Sequence, residues 1–161
     1  MEQFKQWWLD KGGLYVVVQF VLFAVVFFAP GKLGWVWGDG MATFGRIFGG
    51  LLTLYGILMI SLGMLNLGHN LQAEPHPKED ATLVTGGAYR WVRHPIYSGI
   101  ILGWVGWGVF NTDELTAILA LVLLLPFFDL KTRREERMLA AKFPAYVDYQ
   151  TRVSKLIPFV Y

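Results

Sequence analysis

The chain has 161 residues, a formal net charge of +2 and no cysteine. Hydrophobic residues make up 55% of it and charged residues 16%, with a mean hydropathy of +0.43. A soluble domain of this size cannot bury so much apolar surface, so the composition indicates a membrane protein. The lack of cysteine excludes disulfides, thiolate metal sites and thiol nucleophiles, and the small net charge argues against a nucleic-acid partner.

Four apolar segments predict an all-α integral membrane protein, a single membrane domain over residues 1–161 with four transmembrane helices. The segments cover residues 14–29, 44–67, 96–110 and 115–130. The second is long enough to provide the ~20 residues of a spanning helix, whereas the other three need their flanks. No small-residue cleavage site follows the first segment, which we therefore interpret as a retained helix rather than a signal peptide.

The basic residues predict the orientation in the membrane. Twelve of the fourteen lysines and arginines lie before the first segment, between the second and third, or after the fourth. Only Lys32 and Arg46 fall on the other side of a four-span arrangement. The positive-inside rule then places both termini in the cytoplasm.

The third and fourth segments are joined by a tight turn at residues 111–114. Asn111 is expected to cap the following helix, with Glu114 as its reciprocal partner in a capping box. Beyond residue 130 the helix is predicted to continue to about Phe143, and a short amphipathic segment follows it. The sequence therefore predicts a C-terminal cytoplasmic helical extension.

Two of the apolar segments carry glycines four residues apart. Gly45 and Gly49 lie in the second segment, and Gly99 and Gly103 in the third. Small residues at this spacing let two helix backbones approach closely. We expect these positions to let the two helices pack closely against partner helices of the same chain, rather than to form a dimer.

Polar side chains gather in two clusters, at residues 87–99 and 133–139. The hairpin returns both clusters to the same membrane face, where Arg, His, Tyr and Glu side chains suit a zwitterionic or cationic ligand. Taken singly, Arg90 is typical of an interfacial anchor, and Lys131 with Glu135 of a solvated surface pair. Because Glu135 and Glu136 point ~100° apart on a helix, one can face a ligand while the other braces an arginine such as Arg93 or Arg133.

The first cluster resembles the signature of the isoprenylcysteine carboxyl methyltransferase family. Residues 83–99 are similar to that family's LV-x-x-G-x-Y-x-x-x-RHP-x-Y-x-G pattern. Residues 135–149 resemble its downstream element, which begins with paired glutamates and ends with two tyrosines, although Pro144 replaces the usual glycine. The histidine that eukaryotic members often carry just before LV is absent, and fewer spans are predicted than in those enzymes.

The resemblance implies an S-adenosylmethionine cofactor held without a Rossmann domain by cytoplasmic elements at residues 69–95 and 131–161. Arg93 and Arg152 are expected to orient an anionic acceptor as catalytic residues. A lipid acceptor is expected to enter between the second and third spans, near Asn66 and Asn70. The cofactor-binding residues that the resemblance implies are Leu83, Val84, Tyr89, His94, Tyr97, Glu135 and Glu136, with the backbone of the first two near the adenine.

The expected activity is methyl transfer to a lipidic or membrane-associated acceptor, such as an isoprenylcysteine-like carboxylate, without a metal. We expect a prokaryotic member in a bacterial or archaeal cytoplasmic membrane. A phospholipid or amine N-methyltransferase is an alternative, which needs a proton acceptor at the amine. A membrane sterol reductase is disfavoured by its larger size and nicotinamide cofactor. A non-enzymatic small membrane protein, such as a scaffold, remains the alternative from a different class.

Overall fold

The computed structural model describes residues 12–28, 31, 33–34, 37–72, 77–78 and 80–161. Every regular element of these residues is helical. The helices are α1 (Gly13–Phe28), α2 (Asp39–Leu67), α3 (Pro95–Phe110), α4 (Glu114–Lys142) and α5 (Ala145–Arg152). Short 3-10 turns occupy Gly68–Asn70 and Gly87–Arg90. The predictions that concern Lys5, Lys11, Ala29 and Lys32 lie outside the described residues.

A helix occupies each of the four predicted apolar segments. α2 and α4 are long and apolar enough to cross a membrane, whereas α1 and α3 are shorter apolar helices. α4 has 29 residues, which corresponds to ~43 Å at ~1.5 Å per residue. A bilayer core is only ~30 Å thick. The polar part of α4 that follows Leu130 therefore extends beyond its apolar stretch.

Glycines bring the backbones of α2 and α3 into direct contact. A Cβ atom placed on Gly56 would lie 2.6 Å from the carbonyl oxygen of Gly99, and one on Gly49 would lie 2.6 Å from that of Gly106. No side chain larger than hydrogen fits at these positions without movement of the facing backbone. The predicted close packing of the two helices is confirmed, and we refer to this contact as the glycine seam.

The turn before α4 is capped differently from the prediction. Asp113, not Asn111, is the residue that caps the helix, and its Oδ1 accepts the backbone N–H of Thr116 at 3.0 Å. The buried Glu114 does not complete a capping box, because its carboxylate accepts the backbone N–H of Leu33 at 3.0 Å. The expected cap at Asn111 is wrong because the helix begins two residues later than such a cap requires.

α4 changes its hydrogen-bonding pattern in the middle. Residues Ala120–Leu124 form a π-helical turn directly before Pro126, and the helix then continues to Lys142. Proline has no N–H to donate and its ring crowds the preceding turn, which a local π turn accommodates. The long helix is therefore not interrupted, and it carries its polar end to the site described below.

The C-terminal residues pack back on the entrance to α3. Val92 and Ser154 form an isolated parallel bridge, and the N–H of Arg93 donates to the Ser154 carbonyl at 2.8 Å. Lys155 is buried and forms an ion pair with Asp129 of α4 at 2.5 Å. These contacts fix residues 92–94, which contain the first two residues of the RHP motif, against the polar end of α4.

The glycine seam predicts different effects for two glycines that face each other across it, Gly56 of α2 and Gly103 of α3. Gly56→Ala should destabilise the protein by about 1–3 kcal/mol, because its methyl group has no space between the two backbones. Gly103→Ala is the matched control, because there the nearest atom to a new Cβ is 3.9 Å away. Thermal unfolding in detergent should separate the two variants, and equal melting temperatures would contradict the seam.

Candidate active site

A cavity of about 410 Å³ lies between α1, α2, residues 81–84, the start of α3 and the polar end of α4. Its walls include both sequence clusters, which the hairpin brings together. The predicted site residues that line it are Asn70, Leu83, Val84, Tyr89, Arg93, His94, Tyr97 and Glu135. The structure therefore gathers most of the expected site residues around one cavity.

Glu136 is the centre of a hydrogen-bond network beside this cavity. Its Oε1 accepts the Nε–H of Arg93 at 2.7 Å and lies 3.1 Å from the Nε2 of His94. The same carboxylate accepts the side-chain amide of Gln150 at 3.2 Å and the hydroxyl of Tyr146 at 3.4 Å. The network joins α3, α4 and α5, so it holds the three elements in register.

The surroundings of Glu136 keep its carboxyl group ionised. Burial favours the neutral acid, but hydrogen bonds and charge from His94 and Arg93 outweigh it and lower the pKa of Glu136 to about 2. The side chain of Glu136 does not line the cavity, whereas that of Glu135 does. The two glutamates thus face different partners, as their angular separation on the helix predicts.

Arg93 is held by the protein on several sides. Besides Glu136, its guanidinium donates through Nη1 to the carbonyl oxygens of Gln150 at 2.8 Å and Val153 at 2.5 Å. Its side chain is only 12% exposed. The guanidinium is therefore fixed in the cavity wall by the C-terminal segment that docks on it.

Aromatic rings line the wall near Glu135. Tyr97 stacks between the ring of His94, with centroids 5.7 Å apart, and that of Phe128, at 4.6 Å. The Tyr97 hydroxyl donates to Glu135 Oε2 at 3.3 Å. A carboxylate next to an aromatic wall is the combination that favours a cationic group such as an ammonium or a sulfonium.

Three further tyrosines surround the cavity on the cytoplasmic side of the expected topology. Burial raises the pKa of Tyr89, Tyr146 and Tyr149 well above the ordinary value of a phenol. Tyr149 donates to the backbone carbonyl of Tyr89. These hydroxyls are therefore proton-bearing donors at neutral pH and not bases.

Three predicted residues have other surroundings than expected. Asn66 lies outside the cavity, where its Oδ1 accepts the N–H of Ala88 at 2.8 Å and supports the adjacent 3-10 turn. Asn70 lines the cavity, but its amide also holds both backbone groups of Thr82 at 3.1–3.2 Å. Arg152 is exposed and lines a separate polar pocket next to Arg93 and Glu136.

Sequence reasoning assigned no site role to two polar residues of the cavity wall. Gln19 lies within the first apolar segment, and a lone polar residue in such a run is a signal of a polar partner. That partner is Lys131, whose Nζ donates to Gln19 Oε1 at 2.7 Å. Lys131 is 1% exposed, so it is not the solvated surface residue that its spacing from Glu135 suggests. Its burial follows from α1 packing beside α4, which a single sequence does not reveal.

A metal centre has no basis in the part of the chain that the structure describes. No group of three or more His, Asp or Glu side chains is placed to hold an ion there. The cavity lining instead offers one carboxylate, three lysine or arginine side chains and several aromatic rings. These groups are suited to an organic ligand that carries charge.

The fold and the cavity together define a helical protein with a charged, aromatic ligand site at the end of its apolar helices. The model of the "Isoprenylcysteine carboxyl methyltransferase (ICMT) family" matches residues 49–141. The chain belongs to this family, and with its apolar helices it is an integral membrane protein. The matched residues contain residues 49–67 of α2, all of α3 and nearly all of α4, but not α1.

Several characterised relatives are similar in sequence. Protein-S-isoprenylcysteine O-methyltransferase of Saccharomyces cerevisiae is 30% identical over 117 residues, which are 71% of this chain and 49% of the yeast protein. Protein-S-isoprenylcysteine O-methyltransferase B of Arabidopsis thaliana is 33% identical, over 84% of this chain and 66% of its own length. The cobalt-zinc-cadmium resistance protein CzcN of Cupriavidus metallidurans is 32% identical, over 89% and 61%. The chain thus spans about half the length of the yeast relative.

A solved structure has the same fold. It is the eukaryotic intramembrane Ras methyltransferase ICMT, which superposes with a TM-score of 0.62 over 94% of this chain and 53% of its own. The sequence identity is 24%. The expected all-helical fold of this family is confirmed.

The network around Glu136 predicts a stability effect. Glu136→Gln should cost about 2–5 kcal/mol, because the buried guanidinium of Arg93 loses its counter-ion and the ring of His94 loses a carboxylate partner. Asp148→Asn, which removes an exposed carboxylate of α5, is the control and should change stability by less than ~0.5 kcal/mol. Melting temperatures of detergent-solubilised protein measure both variants.

The same network predicts a pH dependence. The ionised Glu136 contributes stability above its ordinary pKa of 4.5, and this contribution is lost as the pH falls towards its folded value of about 2. The parent should therefore lose melting temperature over this interval more steeply than Glu136→Gln. Parallel pH profiles for the two proteins would contradict the assigned network.

Proposed function

We propose that this protein is an integral membrane, S-adenosylmethionine-dependent methyltransferase that acts on a lipidic, membrane-associated acceptor with an isoprenylcysteine-like carboxylate. The observation that carries the proposal is the convergence of the family's two motifs on one cavity. Tyr89, His94 and Tyr97 come from the first motif and Glu135 from the second. Family membership indicates the class of reaction, methyl transfer, and we place this reaction in the cavity.

The cavity fits the cofactor in size and in chemistry. Its volume of about 410 Å³ lies within the usual range for small-molecule sites. Leu83 and Val84 offer an apolar wall for the adenine, while Glu135 and the ring of Tyr97 offer a negative environment for the cationic end. The bound cofactor would supply an electrophilic methyl group on a positively charged sulfur.

The residues of the chain have little proton chemistry to perform. A carboxylate acceptor is already an anion, so its attack on the methyl carbon needs no general base. The contribution of the protein is then to align the acceptor, to exclude water and to place charge. The fixed guanidinium of Arg93 in the wall is our candidate for orienting an anionic acceptor. We assign Arg152 no part in transfer, because it lies at the separate polar pocket.

An apolar groove offers a place for a lipid chain. It has a volume of about 300 Å³ and is lined by residues of α1, α2 and α3, among them Phe27, Ile57 and Trp104. Ile100 lines both this groove and the charged cavity. The glycine seam leaves no space for a lipid between α2 and α3 themselves. We therefore propose that the lipid lies on the surface of the seam, in the groove that α2 and α3 form with Phe27 of α1, and not between the touching backbones themselves.

For the membrane arrangement we propose four spans, α1 to α4, with both termini and α5 in the cytoplasm of a prokaryotic cell. The distribution of basic residues supports it, because Arg46 lies at the opposite end of α2 from the cavity. Reporter fusions at Asn111 and at the C-terminus should report opposite sides of the membrane. The same side for both would exclude this topology.

Cofactor binding tests the proposed site directly. The detergent-purified parent should bind S-adenosylhomocysteine with a Kd of micromolar order, about −8 kcal/mol. Glu135→Gln should weaken binding by about 2–4 kcal/mol, because the cationic end of the ligand loses its carboxylate. Its melting temperature should stay near that of the parent, in contrast to Glu136→Gln, and Asp148→Asn again serves as the control.

Methyl transfer tests the acceptor class. Membranes that contain the protein should transfer labelled methyl groups from the cofactor to N-acetyl-S-farnesylcysteine. Transfer to phosphatidylethanolamine instead would favour the N-methyltransferase alternative. A folded parent that binds neither form of the cofactor would exclude the enzyme assignment.

A further inference from the structure

A buried lysine in the cavity wall has no role in the mechanism proposed above. Lys131 lies on α4 one turn before Glu135, and its side chain is almost completely buried. Its Nζ donates to Gln19 Oε1 at 2.7 Å and lies 5.0 Å from the centroid of the Tyr97 ring. Both Gln19 and Lys131 line the 410 Å³ cavity.

A lysine at this position has a desolvation free-energy cost that the packing of its side chain alone does not offset. Transfer of an ammonium from water into a protein interior is strongly unfavourable, and a methionine would fill the same volume without it. The ring of Tyr97 and the amide of Gln19 favour the cation and hold it at the wall. A cation held at the edge of a ligand cavity is suited to an anionic part of the ligand.

The neighbouring charges narrow the class of ligand. Lys131 and Glu135 are four residues apart, so their Cβ atoms lie ~6 Å apart on the same side of α4. A positive and a negative group on neighbouring turns match a ligand that carries both a carboxylate and a cationic group. The other two cations of the wall have protein partners, since Arg93 directs Nε at Glu136 and Nη1 at two backbone carbonyls, and Lys78 donates to the carbonyl oxygen of His69.

We propose that Lys131, positioned by Gln19 of α1, is a further carboxylate-binding residue of the cavity beside Arg93. This inference rests on the proposed methyltransferase function, which offers two carboxylates, that of the cofactor's amino acid part and that of the acceptor. In the second case the O–CH₃ bond forms as the S–CH₃ bond breaks, and the negative charge of the acceptor and the positive charge of the sulfonium disappear together. The neutral ester would then lose its attraction to Lys131, which favours its release.

Gln19 gives α1 a part in this site. The helix lies outside residues 49–141, the part matched by the family model. By accepting a hydrogen bond from Lys131, the amide oxygen of Gln19 fixes the ammonium, and its NH₂ group carries two further donors that a carboxylate can accept. The ligand specificity of the cavity is therefore set partly by a helix that lies outside the shared motifs.

Titration calorimetry and steady-state kinetics on the full chain in detergent test the proposal. Lys131→Met keeps the volume and removes the charge, and Arg137→Met removes one cation from an exposed position of the same helix. The probes are S-adenosylhomocysteine, its analogue without the carboxylate, and N-acetyl-S-farnesylcysteine as the acceptor. Loss of one charge-assisted contact should weaken the affected ligand on the order of tenfold to a hundredfold.

The two sources of the carboxylate give different results. If Lys131 holds the cofactor, Lys131→Met binds S-adenosylhomocysteine more weakly but binds the analogue as the parent does. If Lys131 holds the acceptor, the affinity for S-adenosylhomocysteine is unchanged and the KM for the acceptor rises by the same factor. Either result supports the proposal, provided that Arg137→Met behaves as the parent.

Parental affinity and parental KM in Lys131→Met would overturn the proposal while leaving the methyltransferase assignment intact. If the methyltransferase assignment itself is wrong, the parent binds no cofactor, and this result differs from the failure of the Lys131 proposal. If Lys131→Met does not fold, Lys131→Gln replaces it. That variant keeps a hydrogen-bond donor for Gln19 but no charge, and the same two results are expected of it.

Discussion

The buried ion pair of Arg93 and Glu136 is the interaction on which the rest of the site depends. It joins the residue before α3 to the polar end of α4, and the same guanidinium binds carbonyl oxygens of α5 and the residues after it. A buried pair of this kind is costly to assemble but still costlier to break on one side. Its presence means that the cavity walls cannot separate without leaving a charge unpaired in the protein interior.

The glycine seam sets the second constraint, on the apolar side of the molecule. Because the α2 and α3 backbones touch, no lipid chain fits between them at the contact, and the space for one lies on the surface of the helix pair. The groove that contains Phe27 and Trp104 lies there, and it meets the charged cavity at Ile100. A lipid chain and a charged head therefore have adjacent but chemically distinct places in this fold.

Much of this arrangement could be predicted from the sequence. The four helices follow from apolar runs, the close helix packing from glycines at helical spacing, and half of the cavity lining from two motifs joined by a hairpin. That Glu135 and Glu136 face different partners follows from helix geometry alone. Three features could not be derived in this way. The cap at Asp113, the bond between Gln19 and Lys131, and the support that Asn66 gives to Ala88 all depend on which segments pack together.

The docking of the C-terminal residues has a consequence for how the protein is made. Arg93 reaches its carbonyl partners at Gln150 and Val153 only when those residues have been synthesised, more than fifty positions after it. The RHP motif therefore cannot complete its hydrogen bonds until the segment that carries both acceptors has been made and has left the ribosome. The ligand site is completed only when this segment docks on Arg93.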